Sequence, residues 1–147
     1  MRTAIIYVSA HHGNTKKLVD SIAEKNEACL IDATKQNTVD LSEYDLIGFA
    51  SGIAFGKFYP QMLKFIEENL PEKKKVFLLY TYGSKRNGYT DAARKVISDR
   101  RCEMVGEYSC LGFDTYGPFK IVGGIAKGHP TLDEIAGAAD FYDSIKD

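Results

Sequence analysis

Three short segments hold the residue types that could bind or react: Ser9-Ala10-His11-His12-Gly13-Asn14-Thr15, Ser51-Gly52-Ile53-Ala54-Phe55-Gly56-Lys57 and Thr81-Tyr82-Gly83-Ser84. The first offers hydroxyls, an amide and a glycine-bearing backbone, with no lysine or arginine inside it. Set between a strand and a helix, such a loop turns its N–H groups, its hydroxyls and the first helical turn toward one anion. Neutral donors suit a phosphate that stays bound and is not transferred. The same residues also fit a plain βα turn in which Ser9 and Thr15 are caps, and the loop alone leaves both open. The second and third segments put flat aromatics beside glycines, which suits a planar heterocycle held at its edge by backbone groups. Phosphate at one end and a ring at the other describe a mononucleotide.

Competing chemistries lack their residues. No G-x-G-x-x-G follows the first apolar run, and Gly52-Ile-Ala-Phe-Gly56-Lys57 has three residues between its glycines and a Phe where a P-loop needs four and a Ser or Thr. A phospho-receiver domain wants acids at strand ends that here carry Ser9 and Ser51. His11 and His12 are adjacent, so their side chains diverge, and no acid or Cys stands nearby to complete a metal site. No Ser-His-Asp set can be assembled. We therefore expect neither a catalytic residue nor a metal.

Elements that place the three segments are legible from hydrophobic patterning. Thr3–Val8 is a near-continuous apolar run suited to a strand buried on both faces of a parallel sheet. A helix follows from about Asn14 to Lys25, with Leu18, Val19, Ile22 and Ala23 forming one stripe. Further strands are expected at 28–32, 46–50 and 76–80, with another inside 103–111. Helices are expected after Pro60, which suits a first helical turn, over about 89–99, and from a Thr131/Glu134 capping box to about Lys146. Alternating strands and helices imply right-handed crossovers and a three-layer α/β/α sandwich. In such a doubly wound sheet ligands bind beyond the carboxyl ends of the strands, and the three candidate loops all leave that edge.

The 147 residues suit a single domain, 1–147, and a 44% hydrophobic content is that of a soluble globular protein. With 19 basic and 20 acidic residues, bulk charge argues for neither nucleic acid nor an anionic membrane as partner. The apolar runs are too short for a membrane span and the start lacks a signal-peptide pattern, so a cytoplasmic location is expected. Cys29, Cys102 and Cys110 are odd in number and widely spaced, without a CxxC pair or disulfide frame, and read as buried or idle thiols. Local charge is uneven: Lys57, Lys73 to Lys75, Lys85, Arg86, Lys120 and Lys127 fall in or near expected loops, clusters of the kind that usually form solvated surface.

Over nearly its whole length the chain resembles the flavodoxin family. The family's phosphate loop, Ser/Thr-x-Thr-Gly-Asn-Thr, is similar to Ser9–Thr15, which is one residue longer and has histidines where hydroxyls are usual. The resemblance implies a five-stranded parallel sheet of order 2-1-3-4-5 and FMN as cofactor, with its phosphate held by Ser9, Ala10, His11, His12, Gly13, Asn14 and Thr15. It implies that Ser51, Gly52, Ile53, Phe55, Gly56 and Lys57 line the inner ring face, Gly56 turning its carbonyl toward flavin N5 when that atom is protonated. Thr81, Tyr82, Gly83 and Ser84 would pack the outer face and bond the pyrimidine edge.

Two features depart from the family pattern. There is no Trp to stack on the ring, which leaves Phe55, Tyr82 or Tyr89 for that place, and the loops are cationic where classical flavodoxins are acidic. The implied function is a low-potential FMN electron carrier between redox proteins such as a flavodoxin reductase, as a monomer or weak homodimer. The alternative on this fold is an FMN-dependent NAD(P)H:quinone-type oxidoreductase. The segment Gly112 to Pro130 is expected to be a structural loop, a cover for the site or a partner-binding segment.

Overall fold

The computed structural model describes residues 1–9, 13–113 and 123–147. Its elements in chain order are β1 (Thr3–Val8), α1 (Asn14–Ala23), β2 (Cys29–Asp32), β3 (Leu46–Ala54), β4 (Lys57–Phe58), α2 (Pro60–Asn69), β5 (Lys75–Tyr82), α3 (Asp91–Asp99), β6 (Glu103–Leu111) and α4 (Leu132–Ile145). Five strands form one parallel sheet in the order β2-β1-β3-β5-β6, and β4 pairs antiparallel with β3 outside that path. With the hairpin strand set aside, this is the expected 2-1-3-4-5 order.

The period-two alternation of the strands divides the core between the two faces. Ala4, Ile6 and Val8 of β1, with Phe49, Val76 and Leu78, pack against Met62, Phe65 and Ile66 of α2 and Ala93 and Ile97 of α3. Ile5, Ala50, Phe77 and Leu79 point the other way, against Leu18, Val19 and Ile22 of α1 and Ala138 and Tyr142 of α4. Each helix therefore hides one apolar stripe against a sheet covered on both sides. Phe77 is fully buried and anchors the second face, with ring centroids 6.1 Å from Phe141 and 5.8 Å from Tyr142.

Two boundaries differ from the sequence expectation. β3 does not stop at Ala50 but runs on to Ala54, and the expected loop 51–60 is a hairpin closed by two residues, with Ile53 opposite Phe58 and Ala54 opposite Lys57. The turn residues Phe55 (φ 52) and Gly56 (φ 82) are both left-handed, the conformation whose twist matches a two-residue hairpin. The pattern hid this because an aromatic at the first turn position is not a usual turn signal. α3 starts at Asp91, two residues later than expected. Pro60 does open α2, and Thr131 and Glu134 form the reciprocal capping box at α4.

Candidate functional site

Strand register decides which loops meet. Val8 pairs with Ser51, Gly52 with Thr81 and Tyr82 with Leu111, so the carboxyl ends of β1, β3, β5 and β6 finish level. There they bound a shallow open cleft of about 20 Å³, lined by Asn14, Gly52, Ile53, Tyr59, Thr81, Tyr82, Gly83, Gly112 and Phe113.

The first loop enters α1 through Gly13, left-handed at φ 67, which has no side chain to cap the Asn14 and Thr15 N–H groups. Uncapped N–H groups and the positive end of the helix dipole are thus directed at the loop. The Ser9 Oγ accepts from the Lys16 N–H at 3.3 Å. Thr15 is buried, and its Oγ1 lies 3.1 Å from the Thr81 Oγ1 on the neighbouring strand end. Two paired hydroxyls use just one of their two hydrogens on each other, so the pair retains an O–H to donate.

Asn14 is 6% exposed. Its Nδ2 donates to the Phe113 carbonyl at 2.8 Å, while its Oδ1 is buried with no hydrogen-bond partner among the described residues. A buried amide oxygen left without a donor costs about 1–3 kcal/mol, which marks this atom as waiting for a ligand donor. Gly112 makes the contact possible: a Cβ there would stand 2.7 Å from the Asn14 Nδ2. Phe113 is held from behind, its N–H donating to the His129 carbonyl at 2.9 Å. The His129 Nδ1 in turn lies 2.6 Å from the Glu134 Oε1, which also accepts the Thr131 N–H at 2.7 Å. The ends of β6 and α1 and the start of α4 are fastened into one wall by this chain of bonds. Burial works to raise the Glu134 pKa, but the bonds from Thr131 and His129 outweigh it and hold the carboxyl below its ordinary value.

The β3–β4 hairpin forms the opposite wall. Its base is fixed by Ser51, fully buried, whose hydroxyl donates to the Gly52 carbonyl at 2.7 Å and accepts the Tyr59 N–H at 3.1 Å. Tyr59 packs over Gly52 so closely that a Cβ there would lie 2.4 Å from its hydroxyl. Of the three aromatics in this loop, Phe58 turns into the core, Tyr59 lines the cleft and Phe55 stands 78% exposed at the tip. Gly56 and Lys57 are exposed beside it.

After β5, Tyr82 and Gly83 line the cleft and Ser84 is exposed. Tyr89 is buried, with its ring 6.0 Å from Tyr82 and 6.4 Å from Tyr80, and its hydroxyl donates to the Ser84 carbonyl. It buttresses Tyr82 from behind, so of the two tyrosines only Tyr82 fronts the cleft. Desolvation pushes the Tyr80 hydroxyl pKa up, and burial, reinforced by Glu134, pushes the Cys110 thiol up to about 12. Cys110 is therefore an inert thiol, whereas Cys29 is exposed.

Of the candidate residues, Asn14, Gly52, Ile53, Thr81, Tyr82 and Gly83 line one cleft, and Thr15 and Gly13 stand at its α1 end. Ser51 acts inside the hairpin, while Phe55, Gly56, Lys57 and Ser84 form the rim. Ala10, His11 and His12 lie outside the described residues, as does 114–122 of the expected cover loop. Sequence inspection missed Tyr59 and the Asn14–Gly112 contact. An aromatic cluster hinted at the first, and nothing local pointed to a pairing across about a hundred residues.

A family model for the flavodoxin domain matches residues 4–103. The chain belongs to the flavodoxin family. An uncharacterized protein of Methanocaldococcus jannaschii is 37% identical to this flavodoxin-family chain over 147 residues, covering 99% of it and 98% of the relative. A solved flavodoxin from the domain Archaea superposes with a TM-score of 0.67 at 18% identity, over 99% of each chain. The rubredoxin oxygen:oxidoreductase of Desulfovibrio gigas gives a TM-score of 0.71 at 14% identity, over 98% of this chain and 35% of that one. At such identities the two structures share the fold with this family member. No helix among its described residues is long and apolar enough to cross a membrane.

Proposed function

We propose that the cleft binds FMN and that the protein is an electron carrier between redox proteins. The observation that carries this is the convergence at the start of α1: a glycine N-cap that offers no side chain to the first N–H groups, a hydroxyl pair at 3.1 Å from Thr15 and Thr81, and the Asn14 Oδ1, without a hydrogen-bond partner among the described residues. Anion donors and an acceptor stand side by side, as a phosphate joined to a polyol chain requires. FMN, when bound, supplies one- and two-electron transfer; the chain supplies position and environment.

In this reading Gly13, Asn14 and Thr15 hold the phosphate, with the Thr81 hydroxyl beside them. Asn14, already bonded to Phe113, orients the polyol through its Oδ1. Tyr82 and the Gly52–Ile53 backbone flank the ring, and Tyr89 and Tyr59 keep those flanks in place. The cleft is shallow and open to solvent, so a ring bound in it keeps an edge at the surface, where a partner protein reaches it. Gly56 exposes its peptide at the hairpin tip and, lacking a Cβ, can rotate it to meet a proton on the ring at little steric cost.

Visible absorption of the purified protein and titration of flavin-free protein with FMN test the reading. We expect a bound-flavin band near ~450 nm and quenching of FMN fluorescence at one equivalent. A colourless preparation that leaves FMN fluorescence unchanged refutes it. Rapid NADPH oxidation by the protein alone would instead favour a reductase.

A further inference from the structure

We infer that the carboxyl rim of the sheet is a docking face for an acidic redox protein; this rests on the FMN reading above. The loops ending three adjacent strands each contribute exposed cations: Lys57 from the β3–β4 hairpin, Lys85 and Arg86 after β5, and Lys127 on the 123–130 loop, which the Phe113–His129 bond joins to the end of β6. None of the four forms an ion pair among the described residues. Segments 51–60, 81–90 and 123–130 contain no Asp or Glu at all. In a chain of 20 acids and 19 bases, these three segments carry cations only.

Uncompensated charge of one sign destabilises a surface by self-repulsion and gains nothing in folding. What it does provide is a field that draws in and orients a partner of opposite sign. Phe55 gives the face an apolar centre: it is 78% exposed beside Lys57, held at φ 52, a conformation that costs a bulky side chain about 1–2 kcal/mol. An exposed aromatic beside Lys57, on an edge that also carries Lys85, Arg86 and Lys127, fits a small transient contact with an acidic protein surface. It fits a single small anion poorly, since the charges span three separate loops.

The test uses FMN-loaded protein, its flavin band recorded first, reduced with dithionite and mixed by stopped flow with oxidised rubredoxin of acidic surface or with basic cytochrome c. Each encounter moves one electron from the reduced flavin to the acceptor's ferric iron, which becomes ferrous. We expect the bimolecular rate with rubredoxin to fall at least ~10-fold between about 20 and 300 mM ionic strength. K85E/R86E/K127E should lower that rate by a similar factor at low salt and raise the rate with cytochrome c. A salt-independent rubredoxin rate, an unaffected variant, or a loss seen in NADPH oxidation alone overturns the proposal. If no flavin band is present, FMN binding fails separately. Docking is then read from low-salt amide shifts of Phe55, Lys85 and Lys127 on adding rubredoxin, and their absence overturns it.

Discussion

The two rims of the sheet handle charge in opposite ways. At the amino ends of the strands, cations have partners close by: Arg2 meets Glu43, Arg101 meets Glu72 at 2.7 Å, and the Lys74 Nζ donates to the Ser42 carbonyl. Arg100 donates to the Leu70 and Glu67 carbonyls, closing the end of α2. At the carboxyl ends, Lys57, Lys85, Arg86 and Lys127 stand without ion pairs and the buried Asn14 Oδ1 without a hydrogen-bond partner among the described residues. Several amino-rim cations are paired within the chain, Lys73 and Lys75 forming no ion pair among the described residues, whereas none of the four carboxyl-rim cations is paired there. Local incompleteness of this kind is what a binding edge needs and a structural edge avoids.

Substitutions can break that contrast. The largest effect is expected from Thr15→Val with Thr81→Val: losing hydroxyl donors to a bound anion, at about 1.5–3 kcal/mol per charged hydrogen bond, should weaken FMN binding by about 100-fold or more in a fluorescence titration. Unchanged affinity would mean that the hydroxyl pair is only a packing contact.

Next comes Gly112→Ala, whose Cβ would meet the Asn14 Nδ2 at 2.7 Å. Either Asn14 shifts off Phe113 or the β6 end moves, for an expected loss of about 1–3 kcal/mol in urea unfolding. Weaker FMN binding should accompany it, since the same asparagine serves both.

A third test concerns pH. The depressed Glu134 carboxyl contributes stability that is complete above its unfolded value near 4.5 and is lost as pH falls from there through the lower folded value. Thermal melts should show this acid-side loss, and Glu134→Gln should flatten it while leaving the neutral-pH melting temperature lower. The smallest effect belongs to the amino rim. Arg101→Ala removes a pair whose side chains are 65% and 55% exposed, so stability should change by under about 0.5 kcal/mol, with FMN affinity unaltered. A sizeable change in affinity there would erase the distinction between the rims.

Much of this was legible in the residues. Strand and helix identities followed from apolar periodicity, the α4 start from Thr131 and Glu134, and the shared edge of the three loops from the alternation of strands and helices. The β3–β4 hairpin was not, because Ser51-Gly52-Ile53-Ala54 has the small residues of a loop, and only pairing with Lys57 and Phe58 makes it a strand. Nor was the division of labour among aromatics: Phe55, Phe58 and Tyr59 are close in sequence, yet one faces solvent, one the core and one the cleft.

By itself the sequence determined the alternation of strands and helices, the donor-rich first loop and the acid-free makeup of segments 51–60, 81–90 and 123–130, because each depends on local periodicity or residue type. Tertiary structure alone decided that Thr15 meets Thr81, that Asn14 reaches Phe113 past a glycine at 112, and that its second amide atom is left without a donor. These are contacts between residues 66 to 99 positions apart, set by strand register and close backbone approach, and no local pattern encodes such a meeting.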